Sequence, residues 1–342
     1  MQHFAIDYGT PSALLYRDAT FTNAGELLRF PECYRLLRLC GIPTRECSDE
    51  ASDYELFRSF ARALPILTGH PLKEDLCAFW KDLFKGIPLP SPDSCDEIWQ
   101  KTAAYLLANP ITAETLLKNA PCACLVGVEA LEQTPAGIRP IVDAKDLLKT
   151  RVRSLADWQG ETASAVEKMR SKGGDVVRIC LPDDYRFEIP DLYHAEQALL
   201  QDRRTQQQEW VLLSQLVRGI CSLGCSSVRL LLEIECDARQ AADLLEYVER
   251  TVGLPTLFWA SSPQNADAML TLQAREHARE MAWCWRLREL PSKGELLGEL
   301  EAVSARYPLG RLQILTDTNL LLSRYAQGRV ALLMEEYCKK SL

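Results

Sequence analysis

Short apolar runs rich in β-branched residues recur along the chain, and segments of helical length separate most of them. This alternation is typical of a parallel sheet whose strands are joined by crossover helices. The runs lie at residues 3–7, 122–128, 138–142, 175–181, 228–235, 254–260, 281–285 and 311–317. Eight such runs predict an α/β fold of the (β/α)8 TIM barrel type. The link at 129–137 is too short for a full crossover helix, so we expect a distorted barrel.

The interval between the first and second runs is much longer than the others. Residues 24–120 have a helical pattern broken by prolines, so we expect a helical subdomain inserted after the first strand. The predicted division is therefore a barrel formed by residues 1–23 and 121–342 and an inserted subdomain at 24–120. A single long helix is predicted over 195–224, before the fifth run.

Composition narrows the class of protein. The chain has 342 residues, 47% of them hydrophobic and 25% charged, with a net charge of -8 and an isoelectric point near 5.3. Nucleic-acid binders gather Lys and Arg on one face, whereas here they alternate with acids, so a nucleic-acid partner is not expected. The N-terminus lacks a basic and apolar leader pattern, and no run of about 18 apolar residues occurs. We therefore expect no membrane partner and a cytoplasmic location.

The cysteines are scattered and form no CxxC motif, although there are 13 of them. Cys122 and Cys124 share one face of a predicted strand, and Cys221 and Cys225 lie one helical turn apart. Either pair could ligate a metal only if further ligands converged on it. Free cysteine is among the most buried residue types, so reduced and buried thiols are expected.

Chemistry in barrels of this type is carried out at the carboxyl ends of the strands. Half of the residues at the predicted ends are acidic, and none of the four histidines is among them. These residues are Asp7, Tyr8, Glu129, Asp143, Asp183, Asp184, Tyr185, Glu235, Asp237, Arg239, Ser261, Ser262, Trp285, Arg286, Asp317 and Asn319. A zinc site built on imidazole is therefore not expected.

Seven segments, taken in chain order, resemble the uronate isomerases of the amidohydrolase superfamily. These segments are ELLRFPECYRLLRLCGI, GHPLKEDLCAFWKDLFKG, SCDEIWQKTAAYL, ITAETLLKNAPCACLVG, IRPIVDAKDLL, LPTLFWASSPQN and RLQILTDTNLLLSRY. The resemblance implies a distorted (β/α)8 barrel with a helical insertion, as the strand count suggests independently. It also implies an enzyme that interconverts aldose and ketose hexuronates, such as glucuronate and fructuronate, by moving a proton between C1 and C2.

The resemblance places the family's metal site at the end of the first strand. An aspartate, a tyrosine and a His-x-His pair that ligates a divalent metal stand there in the family. This chain keeps Asp7 and Tyr8, but the histidine positions fall on Gly9 and Pro11, whose side chains cannot ligate. The aspartate of the last strand is kept as Asp317, which the resemblance makes the candidate base.

Other matching positions imply a pocket for a sugar acid. Arg139 matches the arginine of the family's third strand, Arg239 stands after the fifth strand, and Trp283 stands at the seventh. An arginine suits a substrate carboxylate and carboxylates suit its hydroxyls, so Arg139, Arg239, Asp7, Tyr8, Asp317 and Trp283 form the predicted substrate site.

Three functional hypotheses follow. The lost histidines favour a catalytically silent or diverged uronate isomerase-like protein without a cofactor, still able to bind a small sugar acid. The alternative is an active isomerase with an all-oxygen Mg²⁺ or Mn²⁺ site built from Asp7, Asp183, Glu235 and Asp317. The third hypothesis is an interaction protein that pairs with an intact relative. Formation of a homo-oligomer remains open, as does a role for each acid as a salt bridge or helix cap.

Overall fold

The structure is a computed structural model that describes most of the chain. The described residues are 3–6, 20–112, 115–116, 123–127, 138–223, 228–275, 281–287, 293–316 and 320–341. The side chains of some residues inside these ranges, including those of β1 and β2 below, are not described.

A parallel sheet lies at the centre of the molecule. Its strands are β1 (His3–Ile6), β2 (Ala123–Gly127), β3 (Ile138–Asp143), β4 (Val176–Leu181), β5 (Arg229–Ile234), β6 (Thr256–Ala260), β7 (Met281–Leu287) and β8 (Gln313–Thr316). Each strand pairs in parallel with the next, and β1 pairs with β8 as well as with β2, which closes the sheet into a barrel. The prediction of an α/β fold with parallel strands is confirmed.

Helices lie between strands, and the last helix follows β8. They are α1 (Pro31–Leu39), α2 (Asp53–Ala63), α3 (Pro71–Leu83), α4 (Cys95–Ala108), α5 (Ala144–Lys149), α6 (Leu155–Ser171), α7 (Leu192–Leu199), α8 (Gln206–Ser222), α9 (Ala238–Val252), α10 (Asp267–Arg275), α11 (Lys293–Ser304) and α12 (Leu320–Ser341). No helix within the described ranges is both long and apolar enough to cross a lipid bilayer.

The single helix predicted before β5 is wrong, because the structure has two helices there. The hydroxyl of Thr205 accepts a hydrogen bond from the backbone of Gln208, and the Gln208 side chain accepts one from the backbone of Thr205. This capping box satisfies two amide donors that a helix start leaves unpaired, so a new helix begins at Gln206. The chain between α7 and α8 can therefore turn.

Helices α1 to α4 share a hydrophobic cluster that is separate from the clusters around the strands. Aromatic rings form much of it: the Trp80 and Phe84 centroids lie 4.5 Å apart, and those of Phe57 and Trp99 lie 5.2 Å apart. Such ring pairs add to the free energy gained from burying their area. The predicted boundaries of the barrel and the inserted subdomain stay a prediction.

An ion pair joins this helical region to the last helix. Asp75 of α3 lies 3.3 Å from Arg329 of α12, and the Asp75 residue is only 3% exposed. Burial raises the pKa of Asp75 to about 6, although Arg329 lowers that pKa and Glu74 raises it. The carboxylate of Asp75 is therefore costly to the fold near neutral pH.

Alternation along the strands separates an inner layer of side chains from an outer one. Ile141, Val176, Leu231, Phe258 and Leu315 pack together inside the barrel with Ala260 and Cys284. Their neighbours along the strands, which include Val142, Val177, Leu232, Trp259 and Ile314, pack outward in a second cluster with the helices. On each strand, the residue two positions after an inner-layer residue therefore also points into the barrel and lies nearer its carboxyl end.

Candidate functional site

Charged side chains fill the inner face of the sheet just beyond the apolar inner layer. Asp143, Arg178, Glu233 and Arg286 each stand two positions after an inner-layer residue of the same strand, so alternation points them into the barrel. Glu235 follows β5 directly and contacts Arg286. We call these five residues the inner charged cluster.

Arg178 and Glu233 form the centre of the inner charged cluster. Nε of Arg178 donates to Oε1 of Glu233 at 2.6 Å, and Nη2 donates to Oε2 at 3.1 Å. The Glu233 side chain has no solvent exposure, and the Arg178 residue is 9% exposed. Two parallel hydrogen bonds between a guanidinium and a carboxylate fix both the geometry and the pairing. Arg178 is therefore the fixed partner of the fully buried Glu233 side chain.

Arg286, Glu235 and Asp143 extend the pair of Arg178 and Glu233 across the barrel. Nη1 of Arg286 lies 2.8 Å from Oε2 of Glu233 and 3.3 Å from Oε1 of Glu235. Nη1 of Arg178 also donates to Oδ2 of Asp143, whose Oδ1 accepts from the backbone N–H of Lys145 and caps α5. The cluster thus contains three carboxylates and two guanidinium groups, with one negative charge in excess. Both guanidinium groups already bind carboxylates.

Two cysteines on the same inner face have raised pKa values. Burial raises the pKa of Cys180 to about 11, and the charges of Glu235 and Glu233 raise it further against the effect of the arginines. Burial also raises the pKa of Cys284 far above that of an ordinary thiol, with Glu233 adding to the effect. The thiolate is the form that attacks a substrate or binds a metal, so both groups are inert thiols at neutral pH.

Several residues of the predicted site lie outside the described part of the chain. These are Asp7, Tyr8, Asp317 and Asn319, together with Gly9 and Pro11. Their predicted roles stay predictions.

The two arginines of the predicted substrate site, Arg139 and Arg239, lie in different parts of the barrel. Arg139 is the second residue of β3 and is exposed, so it lies towards the amino end of that strand, whereas Asp143 ends the strand. Arg239 follows the cap residue Asp237 in the first turn of α9, just after β5, and its side chain is exposed. Of these two arginines, Arg239 is therefore the one on the side of the barrel that carries the inner charged cluster.

Trp283 stands on the outer face of β7. Its ring stacks on Trp259 with centroids 5.1 Å apart, and Tyr307 packs against its edge at 5.8 Å. Its Nε1 points to the carbonyl oxygen of Ser261 at 3.4 Å, and the residue is fully buried. The structure thus places Trp283 in the outer packing layer and not beside the inner charged cluster.

Two acids of the predicted all-oxygen metal site, Asp183 and Glu235, lie in the described part of the chain. Asp183 is exposed in the turn after β4, while Glu235 contacts Arg286. Within the described ranges, no three His, Cys, Asp or Glu side chains are grouped so that they could hold a metal ion. Asp143 combines two of the roles expected for isolated acids, a salt bridge and a helix cap.

The sequence reasoning missed Arg178. A signal for it exists, because Arg178 interrupts the apolar run at 175–181 and Glu233 interrupts the neighbouring run at 228–235. Opposite charges within adjacent apolar strands indicate a pair facing the same interior.

Comparison with known proteins shows which sequences this chain is similar to. Residues 6–130 match the family model for glucuronate isomerase. The uronate isomerase of Bacillus pumilus is 32% identical over 89 residues, which cover 25% of this chain and 19% of that protein. The uronate isomerase of Pectobacterium carotovorum is 31% identical over 92 residues, with the same two coverages of 25% and 19%. The matched segment thus spans about a fifth of these curated relatives.

Solved structures match over a much larger part of the chain. The crystal structure of uronate isomerase from Thermotoga maritima aligns with a TM-score of 0.74 and 14% identity, covering 97% of this chain and 87% of that one. Glucuronate isomerase from Caulobacter crescentus aligns with a TM-score of 0.69 and 14% identity, covering 97% and 83%. The fold is therefore the parallel α/β fold of these barrel proteins. The resemblance to uronate isomerases seen in the sequence is confirmed.

Proposed function

We propose that this chain is a uronate isomerase-like protein that does not catalyse efficient isomerisation of hexuronates. The observation that carries the proposal is the inner charged cluster, in which Arg178 and Arg286 bind Glu233 inside the barrel. The proposal includes the finer architecture, a distorted (β/α)8 barrel with residues 24–120 as a helical insertion. The closure of the sheet at β1 and β8 and the position of α1 to α4 between β1 and β2 support that architecture.

Isomerisation makes two chemical demands on such a site. A base must reach the C2 proton, and an electrophile must stabilise the enediolate that forms. Arg178 and Arg286 are poor electrophiles for this purpose because carboxylates already neutralise them. Asp317 remains the candidate base.

The donor chemistry does not fit the divalent metal that the family implies. The His-x-His positions hold Gly9 and Pro11, which offer no ligating side chain. The inner thiols of Cys180 and Cys284 have raised pKa values and so do not supply thiolates. We therefore propose that the protein holds no resident zinc.

Binding of a sugar acid without turnover is the second candidate function. Arg239 supports it, because this exposed guanidinium lies just after β5 on the side of the barrel where Glu235 stands. A hexuronate carboxylate bound there would place hydroxyls towards the carboxylates of the barrel. The predicted partners Asp7, Tyr8 and Asp317 belong to this candidate, whereas Arg139 lies towards the amino end of β3, away from Arg239.

The decisive experiment measures solvent deuterium incorporation at C2 of glucuronate and galacturonate by NMR. Zn²⁺, Mg²⁺ and Mn²⁺ are added separately, and the uronate isomerase of Bacillus pumilus is the positive control. We expect no exchange above buffer and substoichiometric zinc by elemental analysis. Exchange that rises in proportion to bound metal would overturn the proposal and favour the all-oxygen site.

A thermal-shift titration tests the second candidate. A ligand that binds only the folded state raises the melting temperature by mass action. We expect glucuronate to raise the melting temperature of the parent protein and to raise that of the Arg239→Gln variant less. Equal shifts in both proteins would show that Arg239 does not hold the sugar carboxylate, and no shift in the parent would eliminate this candidate.

A further inference from the structure

A cavity lies between helices on the outside of the sheet, away from the inner charged cluster. Helices α6 and α8 form most of its wall, and the carboxyl end of α9 completes it. Its volume is about 310 Å³, within the range of sites that hold small molecules. We call it the helix cavity. The residues that matter for its chemistry are Trp158, Gln215, Leu216, Arg218, Gly219 and Val252.

Gln215 is the unusual member of this lining. The residue is 2% exposed, and neither Oε1 nor Nε2 of its side chain has a hydrogen-bond partner among the described residues. Buried amides are nearly always paired, because an unpaired one has given up its bonds to water without replacement. Both polar atoms of this amide are left without protein partners in the wall of a cavity.

Arg218 brings a positive charge to the same wall. Its Nε is buried and has no hydrogen-bond partner within the described part of the chain. Gln215 and Arg218 lie three residues apart on α8 and line one cavity, and their buried unpaired atoms become available to one small molecule when the two side chains rotate towards it. The hydroxyl of Thr162 is already bound to the carbonyl oxygen of Trp158 and does not compete for these atoms.

The remaining wall is apolar. Trp158, Leu216 and Val252 line it, and the Trp158 indole N–H already donates to the carbonyl oxygen of Leu147 at 2.9 Å. The indole therefore offers an apolar ring and no further donor. Beside it, Gly219 leaves open space, since a methyl group added there would meet no atom within 4 Å.

These groups define a ligand by its chemistry. An anionic oxygen satisfies Nε of Arg218 and Nε2 of Gln215, and a hydroxyl on the same molecule can donate to Oε1 of Gln215. An apolar or aromatic body fits against Trp158 and Val252. We propose that the helix cavity is a binding site for a small 2-hydroxy carboxylate with an apolar body.

Isothermal titration calorimetry with mandelate tests the proposal. Mandelate carries a carboxylate, a neighbouring hydroxyl and a phenyl ring. Phenylacetate lacks the hydroxyl, and 1-phenyl-1,2-ethanediol lacks the carboxylate. We expect saturable binding of mandelate to the full chain. The diol should bind at least about tenfold more weakly, the scale of a hydrogen bond to a charged group, and phenylacetate about threefold or more, the scale of a neutral one.

Variants locate the binding. Gln215→Leu removes both unpaired polar atoms, so mandelate binding should weaken at least about tenfold. Gly219→Leu fills the open space on α8 and should abolish binding without lowering the melting temperature. Gly298→Leu is the matched control, because Gly298 is an exposed helical glycine of α11 with equal room for a side chain. This control should bind mandelate like the parent protein.

Two outcomes would overturn the site. The first is no saturable heat with mandelate up to about 10 mM, which would make the helix cavity a hydrated void. The second is mandelate binding that persists unchanged in Gly219→Leu, which places any binding elsewhere. Gly219→Leu decides the question even if Gln215→Leu fails to fold. Neither outcome depends on hexuronate exchange, so this test is independent of the proposed function.

Discussion

Replacing Arg178 with methionine removes the cation at the centre of the inner charged cluster while keeping a long, unbranched side chain. The variant leaves Glu233 fully buried without its two hydrogen bonds from Arg178, and it leaves Asp143 without its arginine partner. If the cluster is structural, the cost appears in the free energy of unfolding. If the cluster is instead a ligand site, the cost appears in ligand binding and the stability changes little.

The magnitude follows from the burial of the pair and from what remains after the change. At an effective dielectric constant near 20, two unit charges about 4 Å apart attract by ~4 kcal/mol. Removing one partner of a buried ion pair costs ~3–5 kcal/mol. Arg286 still lies 2.8 Å from Glu233 and compensates part of its charge. We therefore expect Arg178→Met to lower the free energy of unfolding by ~3 kcal/mol, the lower end of that range.

Urea unfolding of a double-mutant cycle measures the coupling. Arg178→Met combined with Glu233→Met removes both charges from the pair, so the double variant should lose ~2 kcal/mol less than the sum of the two single changes. Arg250→Met is the matched control, because Arg250 is 78% exposed and pairs with Glu246 at the surface. It should change stability by no more than ~0.5 kcal/mol. An additive cycle, or an Arg178→Met variant as stable as the control, would refute a structural role.

Two further predictions concern packing and pH. The raised pKa of Asp75 makes the folded state bind a proton that the unfolded state has released, so stability falls as pH rises from about 4 to 6. Between pH 4 and pH 7, the free energy of unfolding measured in urea should fall by ~2–3 kcal/mol less in Asp75→Asn than in the parent protein. An equal fall in both proteins would contradict the burial of Asp75 beside Arg329. Gly174→Ala should destabilise by ~1–3 kcal/mol, because its methyl group would lie 2.2 Å from the carbonyl oxygen of Pro140. The control Gly160→Ala, in open space on α6, should stabilise the protein by up to ~1 kcal/mol. Melting temperatures that change alike in both variants would contradict the close packing of Gly174 against Pro140.

Local sequence patterns were sufficient for much of the fold. The apolar run at 175–181 predicts β4 (Val176–Leu181) almost to the residue, because strands buried on both faces have few polar positions. The helix before β5 was predicted as one, and residues 195–218 run without a proline or glycine to interrupt them. The capping pair Thr205 and Gln208 ends that continuity, and this signal is visible in the sequence.

The candidate site was harder to predict than the fold. The acids at the strand ends, Asp143 and Glu235, follow from the strand boundaries alone. Their partners do not, because Arg178 lies 55 positions from Glu233 in the chain and meets it only when β4 and β5 pair. The burial of Trp283 was missed for a related reason. Alternation fixes which residues share a face of a strand, but only the closed sheet shows which face is the interior.

The electrostatics of a parallel barrel explain why Arg178 and Arg286 lie among the carboxylates of the inner charged cluster. Sequential strands deliver their last side chains to one small space, so carboxylates such as Asp143, Glu233 and Glu235 repel one another unless a cation lies among them. The resemblance found in the sequence implies that uronate isomerases meet this need with a metal ion held by histidines. Here Arg178 and Arg286 supply the positive charge from β4 and β7, and a guanidinium on a strand cannot leave the site. On the proposed function, the same requirement for positive charge is therefore met by a fixed group, which stabilises the acids but offers no open coordination position to a substrate.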